Sequence, residues 1–167
     1  MNKEGKTIFP DLGYRVSFFS SFKEDESASI SLLIGVRSTK FINNFIVNLP
    51  LSFPIYEDNQ LNERLVELFK NCIDVFNPFW ACIGNSTNLR RYDGYWGEQV
   101  PKSIQWVNYF NNEVAQRLCE NMILTSPVRI KEKFNSGYLL VIKNQPINDE
   151  NEEDIILQQQ VNNYFKL

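Results

Sequence analysis

The sequence predicts an α+β fold, an antiparallel-rich sheet with about three helices packed on one of its faces. Three observations carry this. Short apolar runs bounded by turn residues recur in both halves of the chain. One long central stretch repeats its apolar residues at three- and four-residue steps. Phe is abundant, 13 in 167 residues, and ring-rich sequences suit a pleated, half-buried surface. The length fits a single domain, 1–167, able to build one core without staples. An apolar fraction of 43% and a charged fraction of 22% are those of a soluble globular protein.

The elements follow in order. Tyr14 to Phe22 reads as a first strand. Ile30 to Val36 follows the acidic turn Glu24-Asp25-Glu26, although so short an apolar run leaves a helix open. Phe41 to Leu49 is a third strand after a turn at Ser38-Thr39-Lys40, and Pro50 and Pro54 end it because proline cannot donate to a ladder. Gln60 to Phe76 is the clearest helix. Leu61, Leu65, Leu68, Phe69, Cys72 and Phe76 form its apolar stripe, with Asn62, Glu63, Glu67, Lys70 and Asp74 on the other side. Asp58 or Asn59 caps it, and Asn77-Pro78 stops it. Phe79 to Asn85 and Ile104 to Phe110 are further strands. Asn111 or Asn112 caps a second helix running through Val114, Ala115, Leu118 and Met122. Pro127 to Phe134 alternates, with Val128, Ile130 and Glu132 opposite Arg129, Lys131 and Lys133. It forms a hairpin with Gly137 to Ile142 through a three-residue turn, Asn135-Ser136-Gly137. In the last helix Glu152, Glu153 and Asp154 sit in the first turn, where the dipole favours carboxylates. Leu157, Val161, Tyr164 and Phe165 make its apolar side.

Composition removes several function classes. There is no histidine, which excludes Ser-His-Asp and Cys-His catalysis and His-bearing zinc sites. No glycine-cradled phosphate motif occurs. A net charge of -3, with Arg90-Arg91 as the longest basic cluster, argues against nucleic acid as a partner. Cys72, Cys82 and Cys119 are odd in number and widely spaced, so they read as reduced thiols buried as small hydrophobes. Met1 to Pro10 lacks the apolar run of a secretory signal, and no window reaches the roughly 18 apolar residues of a spanning helix. The expectation is a cytoplasmic protein with no membrane partner.

The richest segment chemically is Arg91-Tyr92-Asp93-Gly94-Tyr95-Trp96-Gly97-Glu98-Gln99-Val100-Pro101, a glycine-bearing loop with three rings. It admits three readings. Its rings plug the end of the sheet, as in a structural or adaptor domain. They form a contact surface, since Tyr, Trp and Arg dominate interface hot spots. Or Asp93 and Glu98 are the acid-base pair of a hydrolase cleft.

The segments around this loop bear a family likeness. Gly94-Tyr95-Trp96, then Pro101, then Ile104-Gln105-Trp106-Val107-Asn108-Tyr109-Phe110, lead into a helix opening Asn111-Asn112-Glu113-Val114-Ala115. Later, Gly137-Tyr138-Leu139-Leu140 passes through Lys143-Asn144-Gln145-Pro146 to Asn151-Glu152-Glu153. This pattern resembles bacterial immunity proteins of polymorphic toxin systems, above all the immunity protein 52 family, with a type VI secretion immunity group as a neighbour. It covers roughly 79 to 167; the first third is similar only in placing strands before a helix. The resemblance implies a non-enzymatic chain without cofactor or metal. Such a chain binds a cognate toxin and blocks its active site or a conformational change it needs. On that reading Tyr92, Asp93, Tyr95, Trp96 and Glu98 face the partner, while Trp106, Asn108 and Tyr109 are scaffold.

Overall fold

The computed structural model describes residues 10–21, 23, 26–37, 43–50, 52–92 and 100–167. It is α+β, with seven strands in two antiparallel sheets and five α-helices among those residues. The chain divides into two compact units, Met1–Pro54 and Ile55–Leu167.

The first unit is a three-stranded meander, β1 (Tyr14–Phe19), β2 (Ser29–Ile34) and β3 (Asn44–Asn48), in the order β1-β2-β3. Residues directly opposite one another share a face. The pairs Tyr14↔Ile34, Val16↔Leu32 and Phe18↔Ile30, continued by Leu32↔Phe45 and Ile30↔Val47, therefore put only apolar side chains on one face. The opposite face carries Arg15, Ser17, Ser29, Ser31, Asn44 and Asn48 together with Phe19, Leu33 and Ile46. Serine and asparagine bond across its strands, Ser17 Oγ to Ser31 Oγ at 3.2 Å and Asn48 Nδ2 to Ser29 Oγ at 3.0 Å. The strand expected over Ile30 to Val36 is a strand and not a helix. The turns expected at Glu24-Asp25-Glu26 and Ser38-Thr39-Lys40 fall wholly or mainly outside the described residues.

The second unit holds the core. Its sheet runs in the order β4-β5-β7-β6, with β4 (Trp80–Ile83), β5 (Val107–Asn111), β6 (Ile130–Phe134) and β7 (Gly137–Val141). All of β7, and all of β5 but Asn111, is buried, which requires cover on both faces. The register shows where it comes from. Tyr109, Leu139 and Glu132 lie on one face. There α1 (Asn59–Phe76) reaches them, through Lys70 Nζ to Glu132 Oε1 at 2.7 Å and over the Phe134 ring. Phe110, Tyr138, Leu140 and Lys131 lie on the other. There α4 (Glu120–Thr125) supplies the Glu120 carboxylate to the Tyr138 hydroxyl, and the carbonyl of Ser126, just past its end, to Lys131 Nζ. Helices thus pack on both faces of this sheet, not on one as the sequence suggested.

The caps are those the sequence predicts. Asp58 accepts from Gln60 N at 2.8 Å and Leu61 N at 3.1 Å, worth about 1 kcal/mol. Asn77 closes α1 in the left-handed region at φ 43°, and Asn111 accepts from Val114 N at 2.9 Å. The side of α1 that meets the core differs in part from expectation: Leu65 and Phe69 of the expected stripe pack against it together with Val66. Asn62 and Ile73 are its buried residues, whereas Leu68 and Phe76 remain about half exposed. The helix expected through Val114 to Met122 is two short ones, α3 (Asn112–Arg117) and α4, broken at Cys119, whose φ is 67°. The hairpin turn has two residues, Asn135-Ser136, with Gly137 paired to Phe134 in the sheet. Asn135 takes the positive φ, 52°, that the turn needs.

The edges of the four-stranded sheet contrast. β6 exposes Lys131, Glu132 and Lys133, charges that deter a further strand. β4 offers only Trp80, Ala81, Cys82 and Ile83. The thiols differ too. Cys119 is exposed, against the expectation of burial, while Cys72 and Cys82 are half-buried. Burial pushes the Cys82 thiol from 9.0 up to about 12. An aromatic disulfide reagent at pH 8 should therefore label Cys119 in the native protein and Cys82 only after unfolding; fast native labelling of Cys82 would contradict the packing of β4. The unfolded thiol ionises near 9.0, so this group's contribution to stability falls as pH climbs from about 9 towards 12.

Candidate functional site

The ring-rich stretch leaves the end of α2 (Ser86–Arg91). Asn85 starts that helix by accepting from Thr87 N at 2.8 Å, and Arg90 and Arg91 occupy its last turn, where cations suit the dipole. Tyr92 comes next. It is half-buried, and its hydroxyl is shielded from water without a hydrogen-bond partner among the described residues. Asp93, Tyr95, Trp96 and Glu98 lie outside the described residues, and so does the carboxylate convergence that a hydrolase would require. The described chain resumes at a half-buried Val100 and a buried Pro101.

What holds these two flanks is a set of buried amides. Asn88 in α2 donates through Nδ2 to Gln158 Oε1 at 2.6 Å. Gln158, in α5 (Glu152–Phe165), donates through Nε2 to the Ile104 carbonyl at 2.8 Å. One helical turn on, Asn162 Oδ1 accepts from Ile104 N at 2.7 Å. Asn108 Oδ1 accepts from Gln105 N at 2.9 Å, and its Nδ2 donates to the Gln105 carbonyl at 2.7 Å. Gln105 Nε2 donates to Ser103 Oγ. The residues of this set, Asn88, Ser103, Ile104, Gln105, Asn108, Gln158 and Asn162, are at most 3% exposed.

These bonds explain why the strand expected over Ile104 to Phe110 begins only at Val107. The backbone groups of Ile104 and Gln105 are satisfied by side chains of α5 and by Asn108, so they need no neighbouring strand. Gly84 is part of the same arrangement. A Cβ there would lie 2.6 Å from Gln105 Oε1, so only glycine lets Gln105 keep its place.

The set is not fully closed. Asn88 Oδ1, Gln105 Oε1 and Asn162 Nδ2 have no hydrogen-bond partner among the described residues, and neither has the side-chain amide of Asn62 in α1. Among the described residues no three Cys, Asp or Glu side chains converge to hold a metal ion, and no helix is long and apolar enough to cross a membrane.

Comparison adds nothing to this geometry. No protein-family model matches the chain, and no curated protein matches it.

Of the segments singled out in the sequence for their pattern, Gly94-Tyr95-Trp96 lies outside the described residues, and those from Pro101 on lie within them. Trp106 is 2% exposed and donates through Nε1 to the Lys143 carbonyl at 2.9 Å. Tyr109 is fully buried in β5 and meets Phe134 edge to face, with ring centroids 6.4 Å apart. The Lys143-to-Asn151 segment is tied down by Asp154, which pairs with Lys143 Nζ and accepts from Asn148 N at 2.9 Å. Asp154 is itself buried, so the third acid of the run Glu152-Glu153-Asp154 braces this connection as well as the helix start.

Sequence reasoning placed Trp106, Asn108 and Tyr109 as scaffold, and they are. It missed Gln158 and Asn162. Their signal was present: polar residues at i and i+4 on the same side of the last helix as Val161 and Phe165, where only apolar ones were sought.

Proposed function

We propose that the chain is an immunity protein that neutralises a cognate toxin by direct contact through the stretch from Tyr92 to Glu98. The observation that carries this is the buried amide set. Both flanks of a short segment rich in Tyr, Trp and charge are anchored to one helix, which lowers the ordering cost of presenting its rings to a partner. The segment's composition is that of an interface anchor, aromatic with a charged rim. The all-apolar face of the first unit's sheet also favours a binding role over a reactive one, since contiguous apolar patches mark interaction surfaces. Acidic residues in a chain of net charge -3 speed encounter with a basic toxin.

The test is co-expression with the C-terminal domain of any large secreted protein encoded in the neighbouring reading frame. The wild-type chain should restore growth and bind the purified toxin domain. Trp96→Ala should weaken binding by about 2 kcal/mol or more, roughly 30-fold, with the melting temperature nearly unchanged. An equal loss of stability would make Trp96 a core residue. Turnover of a substrate by the purified chain, abolished by Asp93→Asn or Glu98→Gln, would replace this proposal with the hydrolase.

A further inference from the structure

The sheet of the first unit has one face without a charge. Tyr14, Val16, Phe18, Ile30, Ile34 and Val47 stand on it, each between 39% and 74% exposed. Leu32, between Val16 and Phe45, is its centre, and the Tyr14 hydroxyl at one end of β1 is the only polar side-chain atom that the strands put there. The reverse face is mixed. Phe19 and Ile46 stand on it, but so do Arg15 and the bonded pairs Ser17–Ser31 and Ser29–Asn48. The described residues of this unit include no α-helix and no second sheet. The strands are five or six residues long. Three of them, about 4.8 Å apart and rising about 3.4 Å per residue, span roughly 14 by 20 Å. At the exposures given, such a face offers on the order of 500–600 Å² of apolar surface, and two of them together roughly 1,100 Å², the lower end of specific interfaces.

We propose that this face is covered by a second copy of the chain, the two first-unit sheets stacked face to face across a two-fold axis as the halves of a sandwich. A face without charge meets itself at no like-charge cost. To a foreign partner it offers neither the charges that steer encounter nor those that fix register. A second copy also brings the same width, length and twist, so the pleats of the two sheets match over the whole area. A single helix, about 10 Å across, would leave part of the width bare. The small area makes the pairing weak and reversible, in the micromolar range, and too weak to fold the first unit by itself. It is independent of the toxin-binding role proposed above.

Sedimentation equilibrium of the full chain from about 5 to about 200 µM brackets that range. The mean mass should rise with concentration towards twice that of the monomer. Val16→Lys puts an ammonium on the face and should weaken association about tenfold or more, since the charge must be desolvated or set against its copy. Ser17→Lys, one residue on and on the reverse face, should leave association unchanged. Amide exchange reads the same face in the wild-type chain and decides alone if Val16→Lys does not fold. The Leu32 amide in β2 should slow several-fold across the concentration range and the Leu139 amide in β7 should not, because association stabilises the unit that takes part in it. A chain that stays monomeric at about 200 µM would overturn the proposal and leave the face to another macromolecule or to cover within one chain. A dimer that both variants keep, or that both lose, would overturn it too, and so would exchange that slows alike at Leu32 and Leu139.

Discussion

Gly137→Ala should destabilise the protein by about 3 kcal/mol or more, the upper range for forced overpacking. Gly137 opens β7 opposite Asn111 of β5, and it is buried. A Cβ built there collides with the Phe110 carbonyl oxygen and comes within 2.8 Å of Asn111 Cα. The obstacle is backbone on a central strand, so no rotamer change relieves it. Either β7 moves away from β5 or the register slips, and a slip of one residue would turn Tyr138 and Leu140 to the wrong face. Chemical denaturation should show a lower midpoint. An unfolding free energy within about 0.5 kcal/mol of wild type would mean that β5 and β7 do not approach as described.

A fragment spanning 55 to 167 should retain a cooperative thermal transition, and one spanning 1 to 54 should show none. The reason is where the buried surface lies. Every buried hydrophobic residue among those described falls between Ile73 and Phe165, and no described residue of the first unit is fully buried. A three-stranded sheet needs an apolar face packed on something to be stable alone. The first unit has such a face, Val16, Phe18, Leu32 and Ile30 among it, but no second layer among its described residues. Calorimetry of the two fragments decides the matter. A cooperative transition in the shorter one, or its absence in the longer, would move the stability to the other unit.

The strands were readable because each is a short apolar or alternating run between turn residues, and the caps because Asp58, Asn77 and Asn111 have side chains suited to their positions. The orientation of α1 was readable only in part. Leu65 and Phe69 of the expected stripe do pack against the core, but so does Val66, and the buried residues are Ile73 and Asn62, while Leu68 and Phe76 stay half exposed. Periodicity gives adjacent apolar lines without telling which meets a sheet. The break between α3 and α4 was hidden for another reason. The left-handed residue there is Cys119, not the glycine that would have announced it. The flanks of the ring-rich stretch were hidden because their bonds come from far along the chain, and local spacing cannot reveal a partner in another helix.

That distance has a temporal meaning. Ile104 and Gln158 are 54 residues apart, and Asn88 and Gln158 are 70. A ribosome makes roughly 5–20 residues each second, so several seconds of translation separate the segment from the helix that locks it. β4, β5 and the α2 turn emerge while the anchor is still unmade. The two flanks held by Gln158 are therefore fixed late, once the last helix has docked.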